Sequence, residues 1–223
     1  MTKALIFDFD GTIVDTETPA LDSAIDVWRE HGAELDVDWW LTTIGSHRKR
    51  SWVSVLADEI GVALDEGEVL ERRRVRKDAI TDRQPVLPGV AELIMHAREQ
   101  GTRLAVGSSS EHEWVDRHLH RVELFDHFDH VVCRDDVGGR AKPAPDVFLR
   151  AVELLEVDPK DVVVIEDSPN GLEAARRAGL AAVVVPNPLM RHLEFPARHQ
   201  RFDALDQEPA GLLFELLFSP PRT

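Results

Sequence analysis

The sequence has little cysteine and comparatively little positive charge, and each shortage excludes a class of protein. A single cysteine, Cys133, stands among 223 residues, so no disulfide can form within the chain, which suits a reducing compartment such as the cytoplasm. Acidic residues outnumber lysine and arginine by 41 to 26, and the formal net charge of -15 argues against nucleic acid and anionic membranes as partners. A small anionic ligand is compatible with this charge, because basic residues close to a site decide such binding.

Long apolar runs and repeats are also missing from the sequence, and we expect no leader segment. No apolar run approaches the length of a membrane span, and the first strand-like run begins too close to Met1 for a signal peptide to fit before it. We therefore expect a cytoplasmic protein with no membrane partner. The chain is long enough for one domain with a buried core and a second, smaller domain.

The most informative stretch is Ala4–Thr12, where an apolar run leads into two acids and a glycine. Side chains alternate along a strand, so Asp8 and Asp10 start on the same face. Gly11 permits a sharp turn directly after them. Two acids at the carboxyl end of a buried strand stand where open parallel sheets bind ligands. An ordinary strand with an acidic turn is the simpler interpretation, but three later stretches favour a site.

Two of these stretches contain a hydroxyl and a lysine. Ser108 directly follows the strand-like run Arg103–Gly107, and a hydroxyl with the N–H groups of a turn can hold phosphate oxygens. Alone, it would be interpreted as a plain serine turn. Lys142 stands in a segment whose backbone two prolines restrict. An isolated lysine is usually a solvated surface charge, so both residues gain weight only together with the other stretches.

The third stretch places Glu166 and Asp167 after Val162–Ile165, a continuous apolar run typical of a strand buried on both faces. Acids suit a helix N-terminus, but Ser168 is the better N-cap and leaves the acids available. If they converge with the first two acids, each pair of like charges about 4 Å apart costs roughly 4 kcal/mol at an effective dielectric of 20. A hard divalent cation bound by oxygen atoms, Mg²⁺, is the physical remedy.

The apolar patterns divide the chain into an α/β part and a helical part. Residues 17–83 show helical spacing and no convincing strand, which predicts an inserted helical domain. Residues 1–16 and 84–223 alternate strands with helices, which predicts a doubly wound α/β domain around a parallel sheet. The two connections between these parts are natural hinges. The basic run 72–77 is interpreted as a solvated helix face.

These motifs, in this order, resemble those of the haloacid dehalogenase superfamily of phosphotransferases. Residues 8–12 match its first motif, DxDGT, and residues 142–146 match its third, KPxPD. The resemblance spans nearly the whole chain and is closest to the beta-phosphoglucomutase-like sugar-phosphate phosphatases and mutases. It implies a Rossmann-like core with a helical cap.

The resemblance also implies a role for each motif residue. Asp8 would be the nucleophile, Asp10 the general acid and base, and Lys142 a cation that balances charge. Magnesium binding is implied for Asp8, Asp10, Glu166 and Asp167, and phosphate or substrate binding for Ser108, Ser109, Thr16 and Arg48. The family pattern uses the backbone carbonyl of Asp10, and Glu166 binds directly or through water. For Arg48, a solvated helix start is an equally good interpretation.

The resemblance implies that the protein is a Mg²⁺-dependent phosphatase. Its substrate would be a small phosphate monoester, a sugar phosphate, which it hydrolyses through an aspartyl-phosphate intermediate. The alternative is a mutase of the phosphoglucomutase type. The mutase pattern has a cap histidine where this chain has Ala20, and a basic residue where it has Glu111, which favours the phosphatase. The intact acids and lysine disfavour a non-catalytic binding protein. We expect a monomer without nucleic acid partners.

Overall fold

The structure is a computed structural model that describes residues 2–43, 51–191, 195 and 199–219. The chain divides into two compact units. One is formed by Met1–Asp15 together with Pro85–Thr223, and the other by Thr16–Gln84. These boundaries differ by one residue from those that the apolar patterns predict.

The first unit is built on a parallel sheet of six strands in the order β3-β2-β1-β4-β5-β6. The strands are β1 (Ala4–Phe7), β2 (Arg103–Gly107), β3 (His130–Val132), β4 (Val162–Glu166), β5 (Ala181–Val184) and β6 (Gln200–Arg201). The two central strands, β1 and β4, are buried along their whole length. Strands that are covered on both faces lose the usual apolar and polar alternation, which is why β4 is apolar from Val162 to Ile165.

Helices cover both faces of this sheet. They are α5 (Val90–Glu99), α6 (His112–Arg121), α7 (Asp146–Leu155), α8 (Pro169–Arg177) and α9 (Ala210–Leu217), with short 3-10 helices at Phe125–His127, Arg134–Val137, Pro159–Asp161 and Pro188–Met190. Alternation along β1 sends Leu5 and Phe7 into one apolar cluster, and Ala4 and Ile6 into the other. The prediction of a doubly wound α/β fold is confirmed.

The strand order brings three strand ends together. The chain leaves β1 for β2 and β3 on one side, then returns to pair β4 with the other side of β1. Phe7 lies opposite both Val106 and Ile165, so the residues after each of them emerge at the same edge. This is a topological switch point, where open α/β sheets bind ligands.

The second unit contains four helices among its described residues: α1 (Glu17–Glu30), α2 (Val37–Thr43), α3 (Trp52–Ile60) and α4 (Glu66–Thr81). Helix α4 packs against α1 and α3. Gly61 ends α3 in a left-handed conformation, and the Asp65 side chain caps α4 by accepting from the Glu68 N–H. In the described part of the whole chain, no helix combines the length and the apolar character that a membrane span requires.

One member of the basic run on α4 does not fit the predicted solvated face. The Arg73 guanidinium lies 5.3 Å from the ring centroid of Trp40 and 5.8 Å from that of Trp52. Its Nη2 donates to the carbonyl oxygen of Ala20 at 2.8 Å. The prediction is therefore wrong for Arg73, because a planar guanidinium packs well on the indole faces that α2 and α3 offer.

Candidate active site

The first motif leaves β1 and closes into a tight loop. The N–H groups of Ile13 and Gly11 donate to the carbonyl oxygens of Phe9 and Val14, at 2.9 and 2.8 Å. Gly11 has φ 81°, a conformation that side chains disfavour. A Cβ at Gly11 would also lie 2.1 Å from Oδ2 of Asp167. Glycine is thus required here both for the turn and for the space that the Asp167 carboxylate occupies.

A buried lysine contacts two of the predicted acids. Lys142 Nζ donates to Oδ1 of Asp8 and, at 2.6 Å, to Oε1 of Glu166. The three side chains are 5%, 9% and 1% exposed, respectively. The ring of Phe148 lies 4.6 Å from the same ammonium group. Buried charges are tolerated when they are paired, so one cation here holds two carboxylates at the carboxyl ends of β1 and β4.

Burial and neighbouring charges perturb this group of residues. Burial raises the pKa of Asp8 to about 8, since the attraction of Lys142 is opposed by the repulsion of Glu166 and Asp10. Burial lowers the pKa of Lys142, but the charges of Asp8 and Glu166 and their hydrogen bonds outweigh it, so the net shift is upward. The lysine therefore stays protonated. It contacts two carboxyl groups, those of Asp8 and Glu166, with one positive charge.

Both carboxylate oxygens of Glu166 are already engaged by protein donors. Oε1 accepts from Lys142, and Oε2 accepts from the N–H of Asp167 and of Ser168 at 3.1 Å and from the Ser168 hydroxyl at 3.0 Å. A Cβ on Gly171 would lie 1.8 Å from the Glu166 carboxyl carbon, so that glycine makes room for it. Ser168 also accepts from the Gly171 N–H, which confirms the predicted N-cap of α8.

Three carboxylates form a group that could hold a metal ion. Oxygen atoms of Asp8, Glu166 and Asp167 lie within 4.8 Å of one another, and all three residues are buried. An all-carboxylate donor set suits a hard cation such as Mg²⁺. Because Gly11 has no side chain, the Asp167 carboxylate has room to take its place in this group. The residues present therefore fit the divalent cation that the sequence predicts.

Two residues that the sequence analysis missed hold the Asp10 carboxylate. The Ser110 hydroxyl donates to Oδ2 of Asp10 at 2.6 Å, and Nε1 of Trp114 donates to Oδ1 at 2.9 Å. Ser110 follows the two predicted serines, so its position was visible in the sequence. Nothing in the sequence marked Trp114, which lies 104 residues from Asp10 along the chain.

The predicted phosphate-binding hydroxyls line the turn after β2. Ser108 is buried and its hydroxyl accepts from the Ser110 N–H at 3.0 Å. The Ser109 hydroxyl accepts from the backbone N–H of Lys142 at 3.1 Å and so connects this turn with the third motif. Thr16 is buried and directly precedes α1 in the second unit. Arg48 lies outside the described residues.

Glu111, at the position that is basic in the mutase pattern, has a cationic partner. Nη2 of Arg134 donates to Oε1 of Glu111, and both side chains are exposed. The Arg134 N–H also donates to the carbonyl oxygen of Ser110 at 3.0 Å. The negative charge of Glu111 is therefore accompanied by an arginine beside the same turn. The sequence did not reveal this pairing, because 23 residues separate the partners.

A second group of potential metal ligands consists of His112, Cys133 and Asp135. The two ring nitrogens of His112 are, however, already in contact with carboxylates. Nδ1 lies 3.1 Å from Oδ2 of Asp116, and Nε2 lies 2.8 Å from Oδ2 of Asp136. His112, the first residue of α6, is therefore a partner of two acids.

Comparisons with known proteins identify a matching family model and several similar sequences. The family model described as haloacid dehalogenase-like hydrolase matches residues 2–179. The Bacillus subtilis protein named "Putative phosphatase YhcW" is 36% identical over 98% of this chain and 99% of its own. Hexitol phosphatase B of Escherichia coli K12 is 31% identical over 83% of this chain and 84% of its own.

A solved structure gives the same result at the level of the fold. The crystal structure of "putative beta-phosphoglucomutase from Thermotoga maritima" superposes with a TM-score of 0.80 at 26% identity, covering 97% of this chain and 100% of that one. The family model covers well over half of the chain, and the parallel sheet has the fold of the superposed structure. The chain belongs to the haloacid dehalogenase-like hydrolases.

Proposed function

We propose that this protein is a Mg²⁺-dependent phosphatase that hydrolyses a small sugar or sugar-alcohol phosphate through an aspartyl-phosphate on Asp8. The observation that carries the proposal is the buried contact of Lys142 with Asp8 and Glu166, because it holds one carboxylate beside a fixed positive charge at a ligand-binding sheet edge. The hexitol phosphatase relative supports the class of substrate. The second unit would act as a cap that selects the substrate.

The proposed reaction has two halves. In the first, an Asp8 oxygen attacks phosphorus, the bond from phosphorus to the ester oxygen breaks, and Asp10 gives its proton to the departing alkoxide. In the second, Asp10 takes a proton from water as the water oxygen attacks phosphorus, and the bond to Asp8 breaks. Inorganic phosphate leaves, and both aspartates return to their starting states. Lys142 balances the negative charge of Asp8 and of the phosphoryl group throughout.

The cation would be held by the carboxylates of Asp8 and Asp167 and by the backbone carbonyl of Asp10. Glu166 would contribute through water, because its two oxygens already accept from Lys142 and from the start of α8. When bound, the ion supplies positive charge that lets an anionic phosphoryl group approach the nucleophile.

A mutase of the phosphoglucomutase type is the second candidate. It is favoured by the Thermotoga maritima structure and by Arg134 beside the serine turn, which offers a cation for a second phosphate. Ala20 and the pairing of Arg134 with Glu111 weigh against it, because a bisphosphate intermediate needs a strong grip at both ends.

The test is release of inorganic phosphate from a panel of sugar and sugar-alcohol phosphates. We expect Mg²⁺-dependent release, complete loss of activity in EDTA, recovery with Mg²⁺ and weak support by Ca²⁺, whose larger and looser coordination misplaces in-line attack. Undiminished hydrolysis in chelator would contradict the metal assignment. Failure to hydrolyse any ester of the panel would contradict the phosphatase assignment.

A further inference from the structure

We propose that Trp114 is a positioning residue for Asp10, and that its indole N–H determines which carboxylate oxygen of Asp10 exchanges the proton with the substrate. The inference rests on the proposed function, because it concerns proton transfer to the leaving group. It adds helix α6 to the parts of the first unit on which the chemistry depends.

The two donors that hold Asp10 differ in what they permit. An indole N–H only donates, so the lone pair of Oδ1 that faces Trp114, 2.9 Å away, cannot carry a proton. A hydroxyl donates or accepts, so Ser110, 2.6 Å from Oδ2, suits that oxygen with or without a proton. This asymmetry makes Oδ1 the fixed end of the carboxylate and favours Oδ2 as the oxygen that gains and loses the proton.

The indole is itself held by a contact between α6 and the first motif. Trp114 and His118 stand four residues apart, on one face of the helix. The two rings meet edge to face with centroids 4.2 Å apart. His118 is fully buried, and its ring stacks on that of Phe9 with centroids 6.2 Å apart. Phe9 and Asp10 are consecutive, so the same helix face contacts both of them.

The Trp114 ring is also fixed from a second direction. The Arg117 guanidinium lies 5.4 Å from the indole centroid, within the range of a cation–π contact. The indole is half-buried and packs against the apolar cluster that includes Val115 and Leu119. A side chain with this many contacts has little rotational freedom, which is what a residue that aims a carboxylate requires.

A positioning role predicts an effect that depends on the leaving group. An alkoxide leaves from phosphorus only with a proton, whereas a nitrophenolate leaves without one. Since kcat/KM reports the steps up to the first bond cleavage, Trp114→Phe should lower it about tenfold for a hexitol phosphate, or about 1.4 kcal/mol. For p-nitrophenyl phosphate it should change less than about twofold. Ser110→Ala should show the same selectivity.

The matched control is Glu113→Gln, a substitution at an exposed position on the same helix. It should leave kcat/KM unchanged for both esters. A loss of Trp114→Phe that is equal for the two esters would show a structural role only, and no loss for either would show no role. Either result overturns the proposal.

A second measurement needs no turnover. The five tryptophans give five indole ¹H–¹⁵N signals, and the signal of Trp114 is the one that Trp114→Phe removes. Asp10→Ala should shift this signal, because it loses its carboxylate acceptor, and should leave the other four in place. An unmoved signal would overturn the proposal. If the wild-type protein hydrolyses neither ester, the phosphatase assignment fails on its own, and the indole signal still decides the contact between Trp114 and Asp10.

Discussion

Nζ of Lys142 donates to Oε1 of Glu166 at 2.6 Å, and this joins the third motif to the end of β4. Glu166 is thereby the acid that holds the lysine, while its other oxygen holds the start of α8. Asp8 contacts the same ammonium group of Lys142, whose position is therefore fixed by Glu166 as well as by Asp8. The lysine is in place before a phosphate arrives, which is the arrangement that electrostatic stabilisation requires.

Replacing Glu166 by glutamine tests this arrangement. An amide keeps the shape but presents one NH₂ group where the carboxylate accepts from four donors, so at least one donor stays unpaired in a buried site. We expect Glu166→Gln to lose roughly 2 kcal/mol of unfolding free energy in urea and to lower kcat. Glu173→Gln, at a partly exposed position on α8, is the control. Equal stability of the Glu166 variant and the wild type would contradict the arrangement.

Gly11 offers a test of the space around Asp167. Gly11→Ala combines an unfavourable φ of 81° with a Cβ placed 2.1 Å from Oδ2 of Asp167. Gly101→Ala has φ 69° and no atom within 4 Å of the added Cβ, so it reports the backbone cost alone, about 1 kcal/mol. We expect Gly11→Ala to lower the free energy of unfolding clearly more than Gly101→Ala does. It should also weaken Mg²⁺ binding, measured by calorimetry. Equal losses of stability in the two variants would contradict the requirement for space beside Asp167.

His112 makes part of the stability depend on pH. Partial burial lowers its pKa, but the hydrogen bonds and charges of Asp116 and Asp136 outweigh this, so the pKa is raised above its ordinary value of 6.5. A raised pKa in the folded state means that the stabilisation is complete below 6.5 and is lost as the pH rises through the folded value.

The measurement compares the wild type with Asp116→Asn in urea at pH 5.5 and pH 9. We expect the wild type to be more stable at pH 5.5, by less than about 1 kcal/mol because the pair is partly exposed, and the difference to vanish at pH 9. If wild type and Asp116→Asn differ in stability by the same amount at pH 5.5 and at pH 9, the contribution of Asp116 comes from packing and not from the charge of His112.

The pair of Glu111 and Arg134 should control the response to a second phosphate. The proposed phosphatase should release phosphate from beta-glucose 1-phosphate with little conversion to glucose 6-phosphate, even when the 1,6-bisphosphate is supplied. Glu111→Ala should leave Arg134 without its acidic partner and so strengthen inhibition by the bisphosphate several-fold. The double variant with Arg134→Ala should reverse this gain. A coupled assay that finds glucose 6-phosphate forming faster than free phosphate would favour the mutase.

The strand-end residues could be predicted from the sequence because two local rules fix them. Side-chain alternation along β1 and the common edge of parallel strands bring Asp8, Ser108 and Glu166 together wherever the strands are recognised. The start of helix α4 is set by a local rule too, since the Asp65 side chain caps its first turn.

The contacts that the sequence did not reveal join residues far apart in the chain. Trp114 and Asp10 are separated by 104 residues, and Arg73 and Ala20 by 53. No periodicity marks such a pair, because each partner looks ordinary on its own helix or loop. Strand β6 was missed for a different reason, since two residues are too few to show a pattern.

The most direct test of the proposed mechanism is the phosphoenzyme. Wild-type protein quenched in acid during turnover of a ³²P-labelled sugar phosphate should retain label that hydroxylamine releases, as an acyl phosphate does. Asp8→Asn should retain none and should lower kcat at least about 10³-fold, or roughly 4 kcal/mol of barrier, because an amide does not attack phosphorus. Label that persists in Asp8→Asn, or turnover comparable with the wild type, would remove Asp8 as the nucleophile.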